Sequence, residues 1–492
     1  MIELENISFR YKGGSGTGGL ENMNLTIESG ETILLTGESG CGKTTVTRLI
    51  NGLIPNYFDG NLSGRVVIDG TLAVNEVPLY TTAERIGSVF QNPRSQFFNV
   101  DTDSELAFGC ENLGMPEADI ADRMEKTVRE FAIERLMGRS IFQLSGGEKQ
   151  KIACASVRML HPDIYVFDEP SSNLDISSIR ELRECIRRLK EDGKTLIIAE
   201  HRLSYLRGLA DRVVYMKSGR ISRIYTADEF EKLDVAKARE MGLRPYGKKE
   251  LVPARREAET KIGRSMVRLS DYSFSYASGK EVLHISRCEI PMGSITAVIG
   301  NNGAGKSTFV RCLCGLEKKC RGTVEINGEL RKRQRCLSNC YLVMQDVNHQ
   351  LFTESVLDEV LISMKHPNEE TACAILRSLD LYDFKDTHPM ALSGGQKQRT
   401  AIAGALASEK QIIVFDEPTS GLDYRHMKEV AENLRKLSAL GKTLFIVTHD
   451  PDLIAECCNY FVFIEKGKVL WSDGWNQISW ERLQRFFAFE GD

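Results

Sequence analysis

One ordered set of short motifs occurs twice in this chain of 492 residues and constrains the fold more than any other feature. In each half, a glycine-rich segment ending in Lys-Thr or Lys-Ser is followed by Leu-Ser-Gly-Gly, by an apolar run ending in Asp-Glu-Pro, and by a histidine. The signature serine, the Asp-Glu-Pro aspartate and the histidine each recur 248 residues further along the chain. Such fixed spacing indicates that one folding unit is present twice.

Short apolar segments precede these motifs at matching places. Ile33–Thr36 and Ile295–Ile299 lead into the glycine-rich segments, and Ile164–Phe167 and Ile412–Phe415 lead into Asp-Glu-Pro. They are too continuously apolar to alternate between a buried and an exposed face, so they predict central strands of a mainly parallel sheet. Because helical segments separate the strands, each half is predicted to be an α/β domain with helices flanking its sheet.

The duplicated pattern also predicts the domain boundaries. The first domain is expected to span residues 1–227 and the second 266–492, where Val267-Arg268-Leu269 matches the opening strand of the chain. Residues 228–265 are predicted to be a charged linker, which holds ten Lys/Arg and eight Asp/Glu and begins with a short helix near Phe230–Met241.

Composition excludes some classes of function. A net charge of −4 and a pI near 6.2 argue against direct binding of nucleic acid. No apolar window reaches the roughly 18 residues that a membrane span requires. The thirteen cysteines are scattered, and no signal peptide is apparent at Met1, so reduced thiols in a cytosol are expected.

The glycine-rich segments fit the phosphate-binding pattern G-x-x-x-x-G-K-[ST]. Glycines allow consecutive backbone N–H groups to turn inward around phosphate oxygens, and the helix that follows adds its positive end. Lys43 and Lys306 are predicted to contact the β- and γ-phosphates, and Thr44 and Ser307 to give a hydroxyl to Mg²⁺. The alternative, a glycine-rich turn without a ligand, is disfavoured by the Lys-Thr or Lys-Ser ending. The predicted nucleotide-binding residues are Gly37, Glu38, Ser39, Gly40, Cys41, Gly42, Lys43, Thr44 and Thr45 in the first half, and Gly300, Asn301, Asn302, Gly303, Ala304, Gly305, Lys306, Ser307 and Thr308 in the second.

Acidic, amide and imidazole side chains follow the apolar strands. Asp168 and Asp416 can hold Mg²⁺, and the glutamate after each is the candidate general base for an attacking water. A glutamine after an earlier strand can join the Mg²⁺ and water shell, and the histidine 33 residues after each aspartate can bind the γ-phosphate. The predicted catalytic residues are Gln91, Glu169, His201, Gln345, Glu417 and His449. The predicted Mg²⁺ ligands are Thr44, Gln91, Asp168, Ser307, Gln345 and Asp416.

Together these motifs resemble the ATP-binding-cassette (ABC) ATPase family over nearly the whole chain. The resemblance implies two tandem P-loop domains, each with a helical subdomain that carries Leu-Ser-Gly-Gly. It implies that these domains bind ATP and Mg²⁺ and hydrolyse ATP to ADP and phosphate. It also implies that the two halves form an intramolecular ATP sandwich, in which the signature of one half completes the site of the other. The residues assigned through this resemblance are Ser145, Gly147, Ser393 and Gly395 as signature contacts and Tyr11 and Tyr276 as adenine-stacking rings. A tyrosine of the core is the alternative at Tyr11 and Tyr276.

A finer resemblance is to the fused ATPases of energy-coupling-factor (ECF) importers, which take up vitamins and metal ions. It is carried by Asn51–Pro55, Phe90–Pro93 and Ala199–Leu203. It implies a peripheral motor at the cytoplasmic face of the cell membrane, with a transmembrane coupling subunit and a substrate-binding membrane subunit as partners. Gln96–Glu105 and Gln350–Glu359 are the predicted docking faces, whose acids would pair with arginines of the partner. An ordinary solvated helix face is the alternative for any single acid.

Other functions remain open. A tandem ABC ATPase that acts on ribosomes in translation also lacks membrane spans, although such relatives typically carry a long basic linker and the linker here is near neutral. The tandem ATPase of simple-sugar importers usually has a degenerate second phosphate loop, whereas Lys306-Ser307 is intact. The sequence therefore favours an importer motor, with a ribosomal ATPase as the alternative.

Overall fold

The computed structural model describes residues 1–12, 19–172, 174–246, 265–276, 279, 281–326, 328–331, 336 and 339–488. The chain forms two compact units, of which the first is mainly Met1–Lys249 together with Gly421–Arg425, and the second is Glu250–Ser420 with His426–Ala488. Residues 247–264, which make up much of the predicted linker, lie outside the described residues. Within the described ranges, no helix combines the length and the apolar character needed to cross a membrane.

A six-stranded sheet forms the centre of the first unit. Its strands, in spatial order, are Arg220–Thr226, Arg212–Lys217, Thr32–Gly37, Thr195–Ala199, Ile164–Asp168 and Ile86–Val89. All neighbours pair in parallel except the first two, which are antiparallel. The register places Asp168 opposite Ala199, so Asp-Glu-Pro and the segment before His201 end at the same edge of the sheet.

A four-stranded antiparallel sheet packs over the same core. Its strands, in spatial order, are Leu20–Ile27, Ile2–Tyr11, Gly60–Ile68 and Leu72–Ala73. Ile2, Leu4, Ile7 and Phe9 of the opening strand point into the core, and the alternation shifts by one residue at an irregularity between Leu4 and Ile7. The core also includes Val46 of the helix after the phosphate loop. Burial of these apolar faces stabilises the contact between the two sheets.

The second unit repeats this arrangement. Its six-stranded sheet runs, in spatial order, Lys468–Gly474, Tyr460–Glu465, Ile295–Ile299, Thr443–Val447, Ile412–Asp416 and Cys340–Val343. Its four-stranded sheet runs Glu281–Pro291, Met266–Ser275, Arg321–Ile326 and Glu329–Arg331. The register pairs Asp416 with Val447, as Asp168 pairs with Ala199. The predicted fold class, two tandem α/β domains with mainly parallel sheets, is confirmed.

Helices flank the sheets and form a separate helical subdomain in each unit. The α-helices of the first unit are Lys43–Ile50, Leu53–Asn56, Leu79–Ala83, Thr102–Asn112, Glu117–Phe131, Gly146–Met159, Ile176–Glu191, Ala227–Glu231 and Val235–Glu240. Those whose bounds lie within the described residues of the second unit are Lys306–Leu313, Val356–Ser363, Glu369–Ser378, Gly394–Ala407, Tyr424–Ala439, Pro451–Cys457 and Gln477–Phe487. In the first unit, the subdomain has its own apolar core, built around Leu106, Ile120, Ile152 and Met159.

The beginning of the predicted linker is folded onto the first unit. Phe230 is buried, with its ring centroid 5.5 Å from that of Tyr225 and 5.1 Å from that of Tyr246. The Tyr246 hydroxyl donates to the carbonyl of Leu206 at 3.1 Å. The single helix predicted at Phe230–Met241 is instead two short helices, so residues up to 246 behave as part of the first unit.

Candidate active sites

The phosphate loops join the end of a central strand to the start of a helix in both units. The helices begin at Lys43 and Lys306, directly after Gly42 and Gly305. These glycines have φ of +107° and +103°, a left-handed conformation that strains any other residue. A Cβ on Gly42 would also lie 2.7 Å from a methyl group of Leu20. Each loop is therefore shaped by its glycines to present backbone N–H groups at the positive end of a helix.

The loop lysines are held over their own loops. Lys43 Nζ donates to the carbonyls of Gly37 at 3.0 Å and Glu38 at 3.2 Å. Lys306 makes the equivalent two bonds to the first two residues of its loop, at 2.7 and 3.0 Å. Both ammonium groups are buried, so each places a fixed positive charge where phosphate oxygens would lie.

A hydroxyl and a carboxylate meet beside each loop. Thr44 Oγ1 donates to Asp168 Oδ1 at 3.1 Å, and Ser307 hydrogen-bonds Asp416 in the second unit. Burial, together with the neighbouring charge of Glu169, raises the pKa of Asp168 to about 6, and burial also raises the pKa of Asp416. These hard oxygen donors beside each phosphate loop fit the requirements of Mg²⁺. Bound there, Mg²⁺ would neutralise charge on the phosphate oxygens.

The candidate general bases adopt an unusual backbone conformation. Glu169 and Glu417 have φ of +45° and +49°, in the left-handed region that few residues other than glycine occupy. Their N–H groups donate to Ala199 at 2.8 Å and Val447 at 2.9 Å, which holds the strained turn against the neighbouring strand. Such strain costs on the order of 1–3 kcal/mol and is typical of functional sites.

Each glutamate lies next to its predicted histidine. The distance from histidine Nε2 to glutamate Oε1 is 3.4 Å for His201 and Glu169 and also 3.4 Å for His449 and Glu417. Burial opposes ionisation of Glu169, but the hydrogen bond and charge of His201 outweigh it and lower the pKa of Glu169. The carboxylate is thus ionised at neutral pH and able to accept a proton.

Gln91 lies beside the glutamate–histidine pair of the first unit. Its Nε2 donates to Glu169 Oε2 at 2.8 Å, from a position just after the strand Ile86–Val89. Gln345 follows the matching strand Cys340–Val343 of the second unit. The structure therefore brings Gln91 to the candidate base, and the role of both glutamines at Mg²⁺ stays a prediction.

A buried acid anchors the histidine segment of the first unit, and the sequence analysis missed it. Glu200 is 2% exposed and accepts hydrogen bonds from the His201 N–H at 2.7 Å and from the Tyr205 hydroxyl at 3.1 Å. It also accepts from the N–H and hydroxyl of Ser171, just after Asp-Glu-Pro. One carboxylate thereby ties the histidine segment to the segment that follows the catalytic glutamate.

The second unit achieves the same link with a different residue. Asp450 is fully buried and accepts from the Thr419 hydroxyl at 2.8 Å and from the Asp452 N–H at 3.0 Å. The acid precedes the histidine in the first unit and follows it in the second. An acidic residue next to each histidine was the signal in the sequence, but the exchange of sides concealed their common role.

The Leu-Ser-Gly-Gly motifs begin a helix in each helical subdomain. Ser145 caps Gly146–Met159 and Ser393 caps Gly394–Ala407, in both cases within a reciprocal capping box. The N-terminus of a helix is a favourable site for an anion. Within a unit, the structure brings together the loop, the acids and the histidine, whereas the signature serine and glycines lie on the subdomain.

Gly147 packs far more tightly than its counterpart Gly395. A Cβ on Gly147 would lie 2.0 Å from Ser178 Oγ and 2.8 Å from Ser178 Cβ, whereas the nearest atom to a Cβ on Gly395 is 3.6 Å away. We expect Gly147→Ala to destabilise the protein by about 1–3 kcal/mol through overpacking. Gly395→Ala is expected to leave thermal unfolding nearly unchanged. Differential scanning calorimetry measures the melting temperatures of both variants. Ser178→Gly should restore the stability of the Gly147→Ala variant. Equal melting temperatures for the two alanine variants would contradict the prediction.

Tyr11 and Tyr276 both lie beside the first turn of the loop helix. Each hydroxyl is 3.2 Å from a threonine hydroxyl, that of Thr45 in the first unit and that of Thr308 in the second. An aromatic ring next to the phosphate loop is in a suitable place to contact the base of a bound nucleotide.

Two acids of the predicted docking faces, Glu105 and Glu359, have structural roles. Glu105 is buried and accepts from the N–H groups of Phe98 and Asn99 at 3.0 and 2.9 Å. Glu359 is buried as well and accepts from the Thr353 N–H at 2.7 Å. Burial raises the pKa of Glu105, as expected for a carboxylate removed from water. These two carboxylates shape their loops and do not face solvent.

Comparison with known proteins identifies the family. The model of the ABC transporter family matches residues 20–172 and 283–420. A putative ABC transporter ATP-binding protein of Treponema denticola is 43% identical over 474 residues, which cover 96% of each chain. A second such protein of the same organism is 37% identical over 95% of this chain and 96% of its own.

Solved structures resemble the chain over almost its whole length. The archaeal ribosome recycling factor aABCE1, solved with the ribosomal stalk protein aP1, has a TM-score of 0.67 and 25% identity, and the match covers 99% of this chain and 96% of that one. A structure of RNase-L Inhibitor has a TM-score of 0.67 and 22% identity, with coverage of 99% and 97%; that likeness concerns the fold alone.

These neighbours correct the prediction of partners. A transmembrane coupling subunit and a substrate-binding membrane subunit were expected from the ECF resemblance, whereas the similar tandem ATPase is found in complex with a ribosomal stalk protein. The prediction of membrane subunits was wrong because it relied on short segments, and two of the acids assigned to docking are buried within their own loops.

The matched residues of the family model carry the phosphate loop, the signature and Asp-Glu-Pro in both units. Domains of this family bind ATP, generally with Mg²⁺, and hydrolyse it. Two such domains, with intact motifs and the same order of strands, follow one another here. The chain therefore belongs to the ABC transporter family and is a tandem ABC ATPase.

Proposed function

We propose that both units hydrolyse ATP and that the cycle of binding and hydrolysis does mechanical work on a partner. The observation that carries this proposal is the glutamate–histidine pair, which has the same 3.4 Å separation in both units. In both, the glutamate also has the same left-handed backbone conformation. Because the glutamate and histidine have the same geometry in both units, we propose hydrolysis at both sites.

The roles of the residues follow from their positions. Lys43 and Lys306 stabilise negative charge on the phosphates, and the loop N–H groups fix the phosphates in place. Glu169 and Glu417 accept a proton from the attacking water, and the paired histidine orients the glutamate and the γ-phosphate. Through the family resemblance, we propose that the signature residues of each unit contact ATP held by the other.

The partner that we propose is the ribosome or a ribosome-bound factor. Support comes from the likeness to the archaeal ribosome recycling factor, which extends over 99% of this chain at 25% identity. A second candidate function, ATP hydrolysis that energises a transport system, is favoured by the names of the relatives from Treponema denticola. The two candidates predict different companions in the cell.

Affinity purification from the native cell distinguishes them. The tagged Glu169→Gln/Glu417→Gln protein, held in its ATP-bound state, is expected to sediment with ribosomal particles and to enrich ribosomal RNA several-fold. A Lys43→Ala/Lys306→Ala protein, which should not retain ATP, is the matched control and should not enrich ribosomal RNA. Enrichment of integral membrane proteins without ribosomal RNA would overturn the ribosomal proposal and favour the transport candidate.

A further inference from the structure

The tyrosine beside the phosphate loop is held differently in the two units. In the first unit, Arg48 Nη1 donates to the Tyr11 hydroxyl at 3.1 Å, and the same hydroxyl lies 3.2 Å from Thr45 Oγ1. Tyr11 is also half-buried against Phe9, at a ring-centroid distance of 4.8 Å. Its ring is therefore fixed from two sides before any nucleotide arrives.

An aromatic residue in turn fixes Arg48. The guanidinium carbon of Arg48 lies 3.9 Å from the ring centroid of Phe58, which is a close cation–π contact. The Phe58 ring meets Tyr11 edge-on, with centroids 6.3 Å apart. Phe58 belongs to a segment that connects the loop helix to the strand Gly60–Ile68. Tyr11, Arg48 and Phe58 thus form one packed group, which we call the tyrosine clamp.

The described residues of the second unit form no equivalent of this clamp. Arg311, which follows its loop lysine by five residues as Arg48 does, is ion-paired with Glu317 at 2.8 Å. The connecting segment Leu316–Cys320 contains no aromatic residue.

The Tyr276 hydroxyl lies 3.2 Å from Thr308 Oγ1, and the side chain is 46% exposed. Tyr276 packs edge-on against Phe274 at a ring-centroid distance of 4.9 Å, as Tyr11 packs against Phe9. The two units therefore differ in the contacts that Arg48 and Phe58 add around Tyr11.

We infer that Arg48 and Phe58 are positioning residues that hold Tyr11 ready for the base, so that the first unit binds ATP more tightly than the second. A ring that is already ordered loses less conformational freedom when a base stacks on it, and this loss otherwise reduces affinity.

The phosphate loops share their glycines and lysine but differ at other positions, among them Glu38 and Cys41, which are Asn301 and Ala304 in the second unit. The inference therefore concerns the contribution of the base, which is measured apart from that of the phosphates. The inference rests on the proposed binding of ATP in both units.

The test measures each site separately. In a Lys306→Ala background only the first site is expected to bind ATP, and in a Lys43→Ala background only the second site is. Calorimetric titration with Mg-ATP and with Mg-tripolyphosphate, which has no base, then separates base contacts from phosphate contacts. We expect Arg48→Ala to weaken binding of ATP to the first site about fivefold to tenfold, since it removes a hydrogen bond and the preorganisation of Tyr11. Binding of tripolyphosphate is expected to stay unchanged.

Arg311→Ala in the Lys43→Ala background is the matched control. Both arginines also lower the pKa of the nearby aspartate, Asp168 or Asp416, so the control accounts for that shared effect. Arg311→Ala is expected to leave the affinity for ATP unchanged. Arg48→Lys, which keeps a donor and a cation near the Phe58 ring, should recover most of the affinity lost in Arg48→Ala.

Phe58→Leu gives a second route to the same answer, because it keeps an apolar side chain and removes the ring. It should weaken binding of ATP by a smaller factor than Arg48→Ala and leave binding of tripolyphosphate unchanged. Equal losses for ATP and tripolyphosphate, or equal effects of Arg48→Ala and Arg311→Ala, would overturn the inference. If the Lys306→Ala parent itself binds tripolyphosphate but no ATP, the proposed binding of ATP in the first unit fails, which is a different result.

Discussion

Replacing Glu169 and Glu417 together with glutamine is expected to stop ATP turnover while ATP still binds. Both carboxylates are held beside a histidine at 3.4 Å, and the lowered pKa of Glu169 keeps it ionised at neutral pH. Glutamine has nearly the same shape but is not a base at neutral pH, so the phosphate contacts remain and proton abstraction is lost. A general base typically contributes 10²–10⁴-fold, and we expect a loss of phosphate release in that range.

The measurement is steady-state phosphate release together with equilibrium binding of ATP. Glu125→Gln/Glu370→Gln is the control, because it removes the same number of charges from exposed positions on helices of the two subdomains. Each single variant should retain the turnover of the other unit. If the Glu169→Gln/Glu417→Gln protein releases phosphate within a few-fold of the natural rate, the two glutamates are not the general bases.

The parts of the fold that local patterns determine could be predicted from the sequence. The segment Ile164–Phe167 is continuously apolar, and the structure has a buried strand at Ile164–Asp168. A helix was predicted from Thr45 to Ile50, directly after the first phosphate loop. In the structure it spans Lys43–Ile50, because Gly42 allows the backbone to turn into it. Duplication strengthened each of these predictions, since every segment had to fit two places in the chain.

The contacts that depend on distant residues could not be predicted in the same way. Glu105 looked like one acid of an exposed docking face, but its carboxylate accepts two backbone N–H groups from the loop before it. Sequence position does not show whether a carboxylate points to solvent or closes a loop, because both uses follow the same local pattern. Likewise, nothing in the segment Asn51–Pro55 could establish which partner the assembled protein binds.

The anchoring acids are a further case. Glu200 and Asp450 perform the same task from opposite sides of their histidines, and direct alignment of the two halves places Glu200 opposite Thr448. Only the three-dimensional contacts reveal that the residue equivalent in function is Asp450. The most demanding test of the structural interpretation therefore concerns this pair.

Replacing Glu200 with alanine is expected to destabilise the first unit strongly and to slow its hydrolysis of ATP. The substitution leaves the Ser171 and Tyr205 hydroxyls and the His201 N–H without their buried acceptor. Each such group costs about 1–3 kcal/mol, so a total loss of about 3 kcal/mol or more is expected, with a fall in melting temperature of roughly 10 °C. Calorimetry and phosphate release from a protein with Glu417→Gln, in which only the first unit turns over, measure both effects.

The second unit supplies the matched comparison. Asp450→Ala should reproduce the effect of Glu200→Ala, because it removes the acceptor of the Thr419 hydroxyl and of the Asp452 N–H. Thr448→Ala should cost only about 1 kcal/mol, since it removes one hydrogen bond to the Asp450 N–H at 3.0 Å. If Thr448→Ala lowered the melting temperature more than Asp450→Ala does, the residue equivalent to Glu200 would be Thr448, with which it aligns in sequence. The assignment of a common role to Glu200 and Asp450 would then be wrong. The contacts described above require the opposite order, because the acid that joins the histidine segment to the segment after Asp-Glu-Pro is Asp450.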